Sequence, residues 1–428
     1  MLRGRARRVD DVTGRPVPVP AYDWPMRLGG RFWRFWAAAT LANLGDGIRV
    51  AAFPLLAASL TDDAFAVAAV GAATALPWLL TGLAAGSLAD RRSARTLLAG
   101  ADVGRIVVLL GLVAALLTDT ATLPLIAVAA FALGVAETVR DTAAQTVVPR
   151  LVPSRLLERA NGRLVAGEVA GNEFVGPMVG AALFSVGVAL PFAANSATLA
   201  IAVLLVLSLP ASLLAATARR GEAGAPVVAD GVRAGLGWLA RQRVLRGLLG
   251  AVAMVMLADA AWFAVFVLYL DARLDAGALG FGVFLAIGGV GGLTGALLAD
   301  RLIGRRRHRA VLLGSIAVIA VTPALLLAAP TTWAAVVVVV ATSGGFTVLN
   351  VAAVSVRQRL TPPGLLGRVT AAWRTVVFGA GAVGALGGGA VASWQGLQAP
   401  FVLSAVLGVV AIALWWLSAR RGSGPLIA

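Results

Sequence analysis

Apolar stretches of roughly 20 residues, the length that spans a bilayer as a helix, recur along the whole chain and confine most of its charge to the segments between them. Six fall at about 36–59, 66–88, 97–117, 122–145, 164–187 and 190–209. Six more follow at about 247–270, 277–300, 309–329, 332–356, 368–392 and 398–418. Each is apolar on all sides, which predicts a spanning helix and not an amphipathic helix of a soluble core. A helix satisfies its own backbone in lipid, whereas a closed barrel would show short alternating strands. The composition agrees, with 59% apolar and 13% charged residues against about 45–50% and about 25% in soluble domains. An ordinary soluble enzyme is excluded.

A net charge of +16 would suggest nucleic acid in a soluble protein, but the arginines alternate with the spans. One set of segments holds Arg91, Arg92 and Arg95, then Arg150, Arg155, Arg159 and Arg163, then Arg219 to Arg246, the 305–309 cluster, Arg357 with Arg359, and Arg420 with Arg421. The opposite loops hold Asp62, Asp63, Asp119, Asp271 and Asp275, with Arg273 alone among them. This is the positive-inside pattern, so both termini are expected in the cytoplasm and no nucleic-acid partner is expected. All 36 basic residues are arginine, and there is no cysteine. A phosphate-binding P-loop lysine, a Schiff base, a thiolate nucleophile and a disulfide are therefore excluded. The single histidine, His308, lies in a basic run without a metal partner, so no metal, no cofactor and no enzymatic activity are expected.

The chain repeats itself. Arg150 to Arg159 matches Arg359 to Arg368, Leu88-Ala89-Asp90-Arg91 recurs as Leu298-Ala299-Asp300-Arg301, and Asp46 corresponds to Asp259. Three features at nearly one offset predict two pseudo-symmetric six-helix bundles in parallel topology. The expected organisation is a cytoplasmic tail (1–30), an N-terminal bundle (31–210), a linker (211–246), a C-terminal bundle (247–419) and a short cytoplasmic tail (420–428). Within the linker, residues 231–246 predict an amphipathic helix on the inner surface.

Gly86-Ser87-Leu88-Ala89-Asp90-Arg91 through Arg95, with the second copy at Asp300 and Arg301, resembles the loop 2–3 signature of the major facilitator superfamily of secondary transporters. The resemblance departs at Ser93-Ala94, where the family has Gly-Arg. It implies a conformational latch formed by Gly86, Asp90, Arg91, Arg95, Asp300 and Arg301. Gly167 with Gly176-Pro177-Met178-Val179-Gly180 resembles the family's antiporter motif, in which small residues and a proline press one helix on its neighbour. Asn43-Leu44-Gly45-Asp46-Gly47, Leu76-Pro77-Trp78-Leu79-Leu80 and Ala160-Asn161-Gly162-Arg163 look like the proton-antiporting drug- and siderophore-exporting branch, close to enterobactin exporters.

Carboxylates inside the spans are the sharpest signal, since each costs about 2.5–3.5 kcal/mol at a helix centre on insertion scales. Asp46, Glu137, Asp259 and Glu173, with Asn350, are the candidates for proton coupling and the substrate cavity. The resemblance places spans 1, 4, 7 and 10 around that cavity. A structural role competes for Asp46 and Glu137, because Arg49 and Arg140 lie within a helical turn of them. Trp262, Phe263, Phe266 and Phe346 either face a substrate or pack. The expectation is proton-coupled efflux of small apolar drugs, secondary metabolites or siderophores by a monomer in the lipid bilayer of a bacterial inner membrane. An importer or lipid-moving transporter of the same fold, or a non-transporting sensor or scaffold, is the alternative.

Overall fold

The computed structural model describes residues 28–153, 156–214, 228–305, 308–362 and 365–420. Among them are twelve helices long and apolar enough to cross a membrane. Spans 1 to 6 are Gly30–Leu60, Ala64–Arg91, Ala94–Leu117, Leu123–Gln145, Arg159–Val186 and Leu190–Leu207. Spans 7 to 12 are Arg243–Phe263, Gly277–Arg305, Arg309–Ala328, Thr332–Leu360, Leu366–Gln395 and Ala399–Arg420.

The differences from the apolar runs have local causes. Span 1 starts six residues early because Phe32 and Phe35 are buried, and Arg34 donates to the Ser208 carbonyl at the end of span 6 (3.1 Å). A cation at a helix C-terminus meets carbonyls that lack intrahelical partners. Span 7 stops at Phe263 although its apolar run continues, and a separate short helix, Phe266–Leu274, takes up the rest. Asp275 then closes that helix in the left-handed region at φ 48°.

Within the first half, spans 1–6, 1–5, 3–6, 3–4 and 2–4 pack together; the second half repeats this as 7–12, 7–11, 9–12, 9–10 and 8–10. The halves meet through spans 2 and 11 and through spans 5 and 8, a pairing the pseudo-symmetry exchanges. The linker helix is Val228–Arg241 and not 231–246: Gln242 interrupts it, and Arg243 already opens span 7. It lies on span 11, where a Cβ on Gly235 would fall 2.8 Å from the Arg368 carbonyl carbon. Leu239 is buried against the second half.

Span 5 is the irregular one. Its residues Val169–Val175 form a π-helical stretch that ends at Gly176-Pro177. Proline has no N–H to give the preceding turn, and a π segment absorbs the extra residue. The backbone there presses on span 1, since a Cβ on Gly176 would lie 2.6 Å from Gly47 Cα and one on Gly180 would lie 2.9 Å from Ile48 Cα. Gly167 likewise faces Trp36 Nε1 at 3.2 Å. Only hydrogen fits at these positions, so the antiporter-like glycines fix how closely span 5 approaches span 1.

Candidate functional site

Three lobes share lining residues; the first two lie between the halves and the third is lined by the second half. The first, about 360 Å³, is lined by Asn172 and Glu173 from the π segment, Asp259 and Phe263 from span 7, and Thr342 and Phe346 from span 10. The second, about 390 Å³, holds Arg49, Glu137, Trp78 and Phe378 and shares Phe263 with the first. The third, about 280 Å³, holds Asn350, Arg357, Trp373 and Arg374 and shares Phe346 with the first lobe and Phe378 with the second.

The acids divide into two environments. Asp46 accepts from Arg105 of span 3 and from Arg49 (3.3 Å). Arg49 also bonds Glu137 (2.5 Å), Arg105 bonds Asp102 (3.3 Å), and Arg140 bridges Asp102 (3.1 Å) and Asp141 (3.3 Å). Spans 1, 3 and 4 are thus tied by one chain of ion pairs. Arg105 and Asp102 are fully buried at its centre. Asp102 and Arg105 lie one turn apart on span 3; their link to Asp46 depends on spans 1 and 3 being neighbours.

Asp259 and Glu173 stand apart. Among the described residues neither has an ion pair; Asp259 accepts only from Trp262 Nε1 (3.2 Å). Trp262 is itself buried between Phe266 and Phe401, so this donor is held rigidly. Glu173 is carried by the π segment, and its Oε2 lies 3.6 Å from a Cβ built on Gly292 of span 8. Of the aromatic candidates, Phe263 and Phe346 face the cavity and Phe266 packs.

The halves are joined at the end carrying the span 1–2 loop. Asp63 caps span 2 by accepting from the Phe65 N–H (2.9 Å), and Ser393 of span 11 bonds both, donating to Asp63 (2.5 Å) and accepting from Phe65 (2.9 Å). These bonds hold the Asp63 carboxyl below its ordinary value, Ser393 contributing most. Further towards the linker, Trp78 of span 2 stacks on Phe378 of span 11 at 5.8 Å. Of the latch residues, the side chains of Gly86, Asp90, Arg91 and Asp300 lie outside those described. Arg95 donates to the Leu207 carbonyl (2.7 Å), and Arg301 is exposed.

Arg374 and Trp78 are cavity residues that sequence reasoning passed over. Trp78 was legible only as part of an exporter-like stretch. Arg374 had a signal, as an arginine well inside an apolar run, a costly placement.

Two pseudo-symmetric bundles around a cavity that carries acids and aromatics have the architecture of a membrane transporter. The Major Facilitator Superfamily model matches residues 35–385 and 248–426, and the chain belongs to that family. An uncharacterized MFS-type transporter of Sinorhizobium fredii is 28% identical over 275 residues, which make up 62% of this chain and 65% of that relative, slightly under two thirds of its length. The nucleoside transporter NupG superposes with a TM-score of 0.74 at 14% identity, covering 92% of this chain and 99% of NupG. A bacterial homologue of the iron transporter ferroportin, solved inward-facing, gives 0.71 at 15% identity, with 91% and 99% covered. At such identities the likeness is one of fold.

Proposed function

We propose that the protein is a proton-coupled exporter of small, largely apolar molecules, acting by alternating access in a bacterial inner membrane with both termini in the cytoplasm. The observation that carries this reading is the pair Asp259 and Glu173, two carboxylates without arginine partners among the described residues, on one cavity between the halves. A carboxylate without a cationic partner in an apolar site readily takes up a proton, because protonation removes the desolvated charge. Asp46 and Glu137, named with them from the sequence, have their charge held by Arg105 and Arg49 and serve in this reading as the scaffold of the first half.

In the proposed cycle, protons entering from outside neutralise Asp259 and Glu173 and substrate leaves. The halves then rock about spans 2–11 and 5–8 until the cavity faces the cytoplasm, where proton loss recharges the site for the next substrate. The Ser393–Asp63 closure at the acidic-loop end supports the assignment of an inward-facing arrangement. The alternating arginine segments support the orientation.

The test is flux of a fluorescent lipophilic probe in inverted vesicles with an imposed pH gradient. Gradient-driven flux is expected to vanish in Asp259→Asn and in Glu173→Gln. Flux that survives both substitutions, or that ignores dissipation of the gradient, refutes the coupling.

A further inference from the structure

The third lobe carries two arginines that the ion-pair chain does not use. Arg357 ends the apolar part of span 10, and Arg374 lies eight residues into span 11, about 12 Å along the helix at 1.5 Å per residue. Among the described residues neither makes an ion pair or a hydrogen bond. Their contacts are aromatic: Arg357 Cζ sits 5.0 Å from the Trp373 ring centroid, and Arg374 Cζ sits 5.1 Å from Trp78 and 5.6 Å from Phe378. Arg357 is 7% exposed and its Nε is buried with no partner, so it does not reach out to headgroups as a topology-marking arginine does.

Both guanidinium groups line the same lobe, so two like charges share it. Stacking on a ring occupies a face of the planar guanidinium and leaves its in-plane N–H donors for a ligand. Asn350, on the same wall, adds an amide donor. An anion bound here would satisfy the orphan donor and cancel the repulsion of two like charges.

We propose that Arg357, Arg374 and Asn350 form a binding site for a carboxylate or phosphate-type anionic group attached to an aromatic or apolar body. The rings of Trp373, Trp78 and Phe378 give that body its contact surface. The site would select acidic substrates for the export proposed above and rests on that reading. It is separate from the Asp259–Glu173 lobe but joined to it at Phe346.

The experiment measures equilibrium binding to the full chain in nanodiscs of phosphatidylcholine, with 1-naphthoate as probe and the uncharged 1-naphthamide as its matched control. Saturable naphthoate binding at least about tenfold tighter than naphthamide is expected, as charge-assisted pairing requires. Arg357→Gln and Arg374→Gln should each remove that preference, and Arg374→Lys should keep part of it. Monodispersity and unchanged naphthamide binding show that the variants are folded. Equal binding of the two probes, or naphthoate binding that survives both glutamine substitutions, overturns the proposal. So does naphthoate binding with no preference that phosphatidylglycerol alone displaces, which would assign the arginines to a lipid headgroup. Binding is read without flux, so loss of gradient-driven transport in Asp259→Asn with naphthoate binding intact would separate the two readings.

Discussion

Replacing Asp46 by asparagine tests whether this carboxylate holds the first half together or carries protons. In the buried part of the chain, Arg49, Arg105 and Arg140 face Asp46 and Asp102, three cations against two anions, while Glu137 and Asp141 at the more exposed edges bring the anions to four. Arg105 is 0% exposed, and its acceptors are Asp46 and an Asp102 shared with Arg140. Asp46→Asn removes the charge but keeps the shape, so Arg105 is left half-compensated. Breaking one partner of a buried pair costs about 3–5 kcal/mol. For a cooperative unit of 150–250 residues, each kcal/mol lowers Tm by about 2–4 °C, giving about 6–20 °C here. Thermal unfolding in detergent by tryptophan fluorescence measures this. A double variant, Asp46→Leu with Arg105→Met, should recover much of the loss, because removing both charges also removes their desolvation. Asp259→Asn, which abandons no cation, should leave Tm close to that of the parent. If Asp46→Asn melts with the parent while Asp259→Asn falls, the roles assigned to the two acids are reversed and the reasoning fails.

Gly180→Ala should destabilise by about 1–3 kcal/mol, because its Cβ would meet the Ile48 backbone, which cannot rotate away. Gly104→Ala, with open space around it, should be neutral or gain up to about 1 kcal/mol of helix propensity. Ser393→Ala should weaken the closure at the acidic-loop end, read as a wider distance distribution between spin labels on cysteines introduced at Asp62 and the exposed Gln395, since the chain has no cysteine of its own. The same distance gives a pH dependence. The Asp63 carboxyl is lowered in the closed arrangement, so its contribution to closure is complete above the ordinary value of 3.8 and is lost as pH falls through the lowered one. A closure that loosens between neutral pH and mildly acidic pH would show that another group controls it.

The parts of the fold that the chain spells out are those a bilayer enforces locally. Apolar length gives twelve helices, arginine placement gives an expected orientation, and the near-constant offset of Asp46 and Asp259, or Asp90 and Asp300, gives two related halves. None of these needs knowledge of a neighbour. The antiporter-like glycines were legible as points of close approach, because a missing Cβ lets two helix backbones meet. The surface facing them, Gly47 and Ile48 of span 1, was not.

What a buried charge does depends on which helix stands opposite, and a single sequence does not state that. Asp46 and Asp259 occupy matching places, yet Arg105 arrives beside the first from span 3 and, among the described residues, only Trp262 bonds the second. The π segment that carries Glu173 leaves no mark in hydropathy, since it alters the helical register by one residue without altering composition. Arg357 looked like one more inner-face marker until packing enclosed it against Trp373. Sequence alone determined the spans, the repeat and the sign of each charge. Tertiary structure decided which charges cancel between helices, because the Asp46–Arg105, Glu137–Arg49 and Asp102–Arg140 pairs act over a few ångströms between residues the chain holds far apart in sequence.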